Sequence, residues 1–355
     1  MKRIKAIDFF CGAGGLTHGL RLSGIDVFAG VDIESSCKET YEHNNKAKFI
    51  NKSIVEITAK EIKELFLCNI SKNDFTMIAG CAPCQPYSMI NTRKKQDDDR
   101  KTLLDEFRRI IKGVRPHFVL MENVSRLNEE NPFFAKFIEM LELNGYKLEY
   151  KVLNAKNFSV AQNRKRLFLI ATRLKKINLS FENLHYKTPI TLKDVIYHLE
   201  SINHDQPSET DPLHKSKTLN EINLKRIKAT PKNGGLRSVW SNELKVPCHA
   251  RKEVFLDNYG RLAWNSLSST ITTKFNQYYS GRFGHPEEDR ALSLREGALI
   301  QSFPANYNFF GSETEIAKQI GNAVPVNLSK AVGETIVYAL TSQLWNRNRN
   351  KKQNI

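Results

Sequence analysis

Nothing in these 355 residues approaches the length of a membrane span, and Met1-Lys2-Arg3-Ile4 runs straight into a strand-like segment rather than a secretory leader. Cysteine is scarce too. Six cysteines without regular spacing supply no disulfide framework, so a soluble, cytoplasmic protein is expected. Cys81 and Cys84 form a Cys-x-x-Cys pair, a pattern shared by zinc and redox sites, but a zinc site needs further ligands. Cys11, Cys37, Cys68 and Cys248 are scattered singly, with Cys248-His249 the one nearby His pairing, so no metal is expected. Internal repeats are absent. The low-complexity piece is the Asn/Lys/Arg tail 346–355, expected to be frayed.

Acidic residues are in deficit. Against 54 Lys and Arg stand 38 Asp and Glu, a net charge of +16 that makes a polyanion the natural partner. Lysines on solvated faces would give the same balance. Residues 172–260 hold 15 basic and 10 acidic side chains, close to the chain average, so charge alone locates no binding face. Hydrophobic residues make up 40%, enough to fill a sizeable core in one large or two ordinary domains.

The first half alternates strand and helix. Short apolar runs at Lys5–Phe9, Val27–Ile33, Phe75–Ala79 and Phe118–Met121 read as strands. Between and after them, Leu16–Leu22, Ser36–Asn44, Ala59–Phe66, Leu103–Lys112 and Pro132–Leu143 read as helices. Val152–Asn154 and Arg166–Thr172 follow as strands, and Leu328–Leu344 as a helix packing back on the first domain. This alternation predicts an α/β fold, a doubly wound and mostly parallel sheet. From 172 to 260 the pattern degrades into proline-rich polar chain with a Gly234-Gly235 pair, which predicts a second, smaller, irregular domain. The catalytic domain is then 1–171, completed by about 261–345.

Several residues carry chemistry. Gly12-Ala13-Gly14-Gly15 follows a strand and opens a helix, as a site for a nucleotide-like ligand requires, and Asp32 ends the next strand where a carboxylate can take ribose hydroxyls. A nicotinamide cofactor remains compatible, although the glycine spacing departs from the dinucleotide pattern. Cys84 follows the run Phe75–Ala79, and Pro83 stiffens the turn that presents its sulfur. Glu122 ends another apolar strand, where a carboxyl is suited to hold a proton near neutral pH and equally to cap a helix or pair with a cation. Gln162, Arg164 and Arg166 alternate as on one face of a strand. Residues 91–101 mix charges of both signs with almost no apolar residue, which reads as a loop following Cys84.

Taken in order, these segments resemble the cytosine-C5 DNA methyltransferases. The resemblance runs through Asp8-Phe9-Phe10-Cys11-Gly12-Ala13-Gly14-Gly15-Leu16, Pro83-Cys84-Gln85, Glu122-Asn123-Val124 and Gln162-Asn163-Arg164-Lys165-Arg166. It continues through Arg295-Glu296 with Gln301-Ser302-Phe303-Pro304 to Gln319-Ile320-Gly321-Asn322-Ala323-Val324-Pro325. It implies a Rossmann-like methyltransferase with a target-recognition domain, acting on double-stranded DNA with S-adenosylmethionine as methyl donor. The implied catalytic residues are Cys84, Glu122, Arg164 and Arg166. Phe10, Gly12, Gly14, Gly15, Asp32, Ile33, Ser53, Ile54, Pro83, Asn322 and Val324 would bind the cofactor, and Gln85, Ser88 and Gln162 the DNA. Arg237, close after Gly234-Gly235, and Arg251, after Cys248-His249-Ala250, are candidates for guanine contacts in the irregular segment. Two departures stand out: Ser53 replaces the acidic residue usual there, and Ala82 replaces a bulkier neighbour of the Pro-Cys pair. The resemblance further implies a monomer near the nucleoid, either paired with a restriction endonuclease or acting as a solitary bacterial enzyme. An RNA methyltransferase of the same fold and a non-catalytic DNA-binding protein are the rival readings.

Overall fold

A computed structural model describes residues 3–82, 103–127, 131–246 and 257–353, with side chains described as far as residue 342. The chain divides into two compact units, one of Met1–Asn154, Lys165–Tyr186 and Val326–Ile355, the other of Ala155–Arg164 and Lys187–Pro325.

The first unit is built on a seven-stranded sheet. In chain order it comprises β1 (Ile4–Phe9), α1 (Gly15–Leu22), β2 (Asp26–Asp32), α2 (Lys38–Asn45), β3 (Lys48–Asn51), α3 (Ala59–Asn69) and β4 (Phe75–Gly80). There follow α4 (Leu103–Val114), β5 (Phe118–Val124), α5 (Pro132–Leu143), β6 (Lys147–Asn154) and β7 (Lys165–Thr172). The strand order is β3-β2-β1-β4-β5-β7-β6. The five from β3 to β5 run parallel, and β7 and β6 join antiparallel. From β1 the chain winds first toward β3, then restarts on β1's other side with β4. That reversal opens a crevice at the carboxyl ends of β1 and β4, the place where open α/β sheets hold ligands.

Central strands read as unbroken apolar runs because both faces are covered; β5 is buried from Phe118 to Asn123. Ile7, Phe9, Ile78, Val119 and Met121 pack there with Phe107 and Phe137, whose rings stack 6.0 Å apart. β6 is an edge strand of mixed exposure, and this explains why it runs from Lys147, well before the apolar residues expected to define it. The last helix, α10 (Val326–Gln353), packs on α1. A Cβ on Gly19 would lie 2.4 Å from that of Ser329, so only glycine permits the two helices to approach this closely. α10 also continues through the tail expected to fray. Lys, Arg and Gln are good helix formers, and extending an existing helix is far easier than nucleating one.

The second unit contains short helices α6 (Leu192–Ile196), α7 (Glu221–Ala229), α8 (Leu294–Ile300) and α9 (Glu313–Asn322), joined by irregular chain. It is larger than the expected 172–260, because residues 261–325 and 155–164 group with it. Buried arginines explain the difference. Arg261, 1% exposed, donates to the carbonyls of Ile227, Thr230, His285 and Glu288 and pairs with Asp289, tying both sides of residue 260 into one core.

Candidate active site

The turn after β1 is shaped by backbone conformation. Phe10, Gly12 and Gly14 all take positive φ (58°, 49° and 89°), and at Gly14 this left-handed residue caps α1. The α1 N-terminus has no side-chain cap and no acidic residue in its first turn, so its amides and positive end are available to a carboxylate. Beside it, Asp32 accepts the Gly12 amide at 2.8 Å through Oδ2 and the Glu34 amide at 2.9 Å through Oδ1. Each oxygen keeps a further lone pair, which suits a pair of hydroxyls. Burial raises the Asp32 carboxyl above its usual range, against the lowering effect of those two amides.

Ile33 is 72% exposed, unusual for an isoleucine and suited to covering an aromatic ring. Phe10 is half-buried and meets Phe107 edge-on. Ser53 is half-buried just beyond β3, while Ile54 is buried and its carbonyl accepts Arg109 at 2.9 Å. Thus Phe10, Gly12, Gly14, Gly15, Asp32, Ile33, Ser53 and Ile54 all stand at the carboxyl ends of β1, β2 and β3.

Asp8 belongs to the same region and was not singled out from the sequence. It is fully buried, and its Oδ2 accepts the Thr17 hydroxyl at 2.7 Å while Oδ1 has no partner. Burial pushes its carboxyl up to about 7, opposed by the Thr17 bond and reinforced by the nearby Asp32 and Glu122 charges. The signal was present, since a carboxyl ending an apolar strand is the argument that singled out Glu122.

β4 and β5 bring the next residues together. Their register pairs Gly80 with Met121, and Asn123 Nδ2 donates to the Ala82 carbonyl at 3.2 Å, so the chain leading to Cys84 is anchored on the strand carrying Glu122. Glu122 is 6% exposed and forms an ion pair of 3.0 Å with Arg166 on β7. Burial, then the charges of Glu122 and Asp8, push the Cys81 thiol well above its ordinary range, which leaves it protonated and unreactive. Pro83, Cys84, Gln85, Ser88, the loop 91–101 and Arg251 lie outside the described residues.

The expected alternation of Gln162, Arg164 and Arg166 on one strand face is corrected. β7 starts at Lys165, and Gln162 and Arg164 belong to the second unit. Arg164, 3% exposed, donates to the carbonyls of Ile271, Gly321 and Ala323. Gln162 is fully buried between the Gln301 side chain and the Ile271 amide. Arg164 directly, and Gln162 through Gln301, hold the end of α9 and the residues that follow it, where Asn322 is exposed and Val324 buried. Neither directs those bonded atoms toward a substrate, because the protein's own groups already occupy them. Arg237 is half-buried in a single 3-10 turn, Arg237–Val239.

A family model described as C-5 cytosine-specific DNA methylase matches residues 4–338. The type II methylase M.HgiDII of Herpetosiphon aurantiacus is 39% identical over 338 residues, covering 93% of this chain and 94% of the relative. The type II methyltransferase M.FnuDI of Fusobacterium nucleatum is 31% identical, covering 96% of each. Among solved structures, a DNA modification methyltransferase encoded within an E. coli prophage aligns with a TM-score of 0.75 at 21% identity, over 95% of this chain and 99% of that one. The Entamoeba histolytica methyltransferase EhMeth aligns with a TM-score of 0.67 at 18% identity, over 96% and 99%. These two likenesses concern the fold.

Proposed function

The chain belongs to the C-5 cytosine-specific DNA methylase family and is a DNA (cytosine-5-)-methyltransferase; we propose that its catalytic centre lies at the carboxyl ends of β1, β4 and β5. The observation that supports this placement is the bond from Asn123 to the Ala82 carbonyl, which ties Ala82, two residues before Cys84 in sequence, to Glu122's strand. The cytosine ring is a poor electrophile. Attack at C6 becomes feasible when the charge developing at N3 is met by a proton or strong donor, and Glu122 is assigned that task, with Arg166 holding its carboxyl in place. Cys84 adds to C6, C5 becomes nucleophilic and is methylated, water takes the C5 proton, and Cys84 leaves by elimination. The base must first leave the helix, at roughly a few kcal/mol in lost stacking and pairing.

S-adenosylmethionine fits the residues present. The uncapped α1 terminus suits its carboxylate, Asp32 its ribose hydroxyls, and Phe10 and Ile33 its adenine, and the family resemblance assigns Asn322 and Val324 to it as well. When bound, it supplies the electrophilic methyl group. Ser53 offers the adenine a neutral hydroxyl where a carboxylate would bind more strongly. Arg164 and Gln162 act by positioning. The sequence reader is assigned to the second unit, Arg237 and Arg251 among it, and the protein is read as a monomer protecting host DNA alongside a cognate nuclease.

Bisulfite sequencing of DNA from expressing cells, with methyl transfer to purified duplex DNA and tRNA in parallel, tests the reading. Methylated cytosines at one sequence in duplex DNA are expected. Transfer confined to tRNA would replace this reading with the RNA rival.

A further inference from the structure

Where α7 begins, the second unit contains a cleft of about 200 Å³. That is several times the roughly 30 Å³ share of one liquid water, so a group larger than a solvent molecule fits. Lys217, Asn220 and Asn223 line it from one stretch of chain, and Asn276, Gln277 and Tyr279 from another.

Two of these side chains have open hydrogen-bonding capacity. Asn276 is 5% exposed, yet its amide makes no hydrogen bond among the described residues. The Oε1 of Gln277 is also buried without a partner. Buried polar groups in folded proteins are otherwise paired, as the amides of Gln162 and Gln301 are here. The open atoms narrow the ligand class. Phosphate oxygens accept hydrogen bonds, as Gln277 Oε1 does, so a backbone phosphate cannot satisfy that atom. An adenine edge offers an N6 donor beside the N7 acceptor, which an Asn or Gln amide matches. The surroundings favour a polyanion. Residues 215–232 carry Lys215, Lys217, Lys225, Arg226, Lys228 and Lys232 against Glu221 alone, so the basic excess of residues 172–260 is concentrated here. Lys217, Lys225 and Lys228 are exposed and make no ion pair among the described residues.

We propose that this cleft is a base-reading subsite for duplex DNA, in which Asn276 and Gln277 take the edge of an adenine and Lys217 meets the adjoining backbone. It rests on DNA as the substrate, and it extends the reader past residue 260 to 276–279.

Methylation of a randomised duplex library, read by bisulfite sequencing, tests it. The wild type should mark a motif containing at least one A·T pair. Gln277→Ala should relax selection at that pair by about 10- to 100-fold, leaving the salt dependence of binding unchanged. Lys217→Ala should keep the motif and lower the salt slope by about 1. Because Asn276 is buried and its variants are open to misfolding, Gln277→Glu is the second variant. It keeps the shape, replaces the donor to N7 with an acceptor, and should select against adenine. A motif without an A·T pair, unchanged selectivity in both Gln277 variants, or a loss of rate uniform across the library overturns the proposal. Failure of the wild type to methylate any duplex is a different result, which overturns the substrate assignment and this inference with it.

Discussion

Two buried carboxyls, one in each unit, meet opposite fates. Glu296, 1% exposed at the start of α8, accepts both Arg290 amino groups at 2.8 and 2.9 Å and the Ser293 amide at 2.7 Å. Asp8, fully buried at the end of β1, accepts one hydroxyl and leaves an oxygen unpaired. Burial pulls both upward. At Glu296 the Arg290 charge and bonds, with His285 and His214 behind them, outweigh it and hold the group at about 2; at Asp8 burial prevails, and the carboxyl sits at about 7. Partner number rather than depth decides the charge state. A saturated carboxyl is part of the scaffold, whereas an unsaturated one beside a ligand loop retains capacity for chemistry or binding.

The comparison predicts crossed effects on rate and stability. Glu122, with Arg166 as its ion-pair partner, belongs with the working carboxyls. Glu122→Gln should slow single-turnover methyl transfer by about 10²- to 10⁴-fold while the melting temperature and DNA affinity change little. An unchanged rate with weakened DNA binding would move Glu122 from chemistry to positioning. Glu296→Ala should do the reverse. It leaves Arg290 buried without its main partner, at a cost of about 3–5 kcal/mol in denaturant unfolding. A stable Glu296→Ala protein would undo the distinction between saturated scaffold and working group.

The sequence showed the first unit more clearly than the second, and the cause is local against distant bonding. β1, β2, β4, β5 and β7 announce themselves because central strands buried on both faces read as apolar runs. β6 was seen only at its end, since an edge strand pairs on one side and its residues need not be apolar. The second unit's limits differ from 172–260 because Arg261, Arg164 and Gln162 hold together chain that is up to about 160 residues apart in sequence. No periodicity records such bonds. The site was legible where strand ends carry charged residues, and Asp8 was passed over even so.

Asp8 gives the third test. Its folded value, about 7, lies above the ordinary 3.8, so between those values the folded protein holds a proton that the unfolded chain has released. Its contribution to stability is therefore fully present below about pH 4 and lost as pH rises toward 7, with a slope of at most about 1.4 kcal/mol per pH unit. Asp8→Asn should remove that decline and be more stable than the wild type at pH 8. Urea unfolding of both proteins from pH 4 to 8 isolates it together with the groups coupled to it, because every uncoupled group cancels in the difference. Parallel curves would mean that Asp8 has a partner when folded and belongs with Glu296.

Thr17 supplies the smallest and most discriminating effect. Its hydroxyl donates to Asp8 at 2.7 Å, the bond that most opposes burial there, and lies 3.0 Å from the Tyr41 hydroxyl. Thr17→Val keeps the shape and removes the donor. At pH 5, where Asp8 is protonated, the loss should be about 0.5–1.5 kcal/mol, the ordinary net value of one hydrogen bond. A bond to the charged form lowers the folded value, so its removal raises that value, and the decline in stability should extend above pH 7 in Thr17→Val. Tyr41→Phe, which leaves the Thr17–Asp8 bond in place, should not move the upper end. If the upper end stays put in Thr17→Val as well, burial alone sets the charge of Asp8, and adding partners would not convert it into a scaffold carboxyl like Glu296.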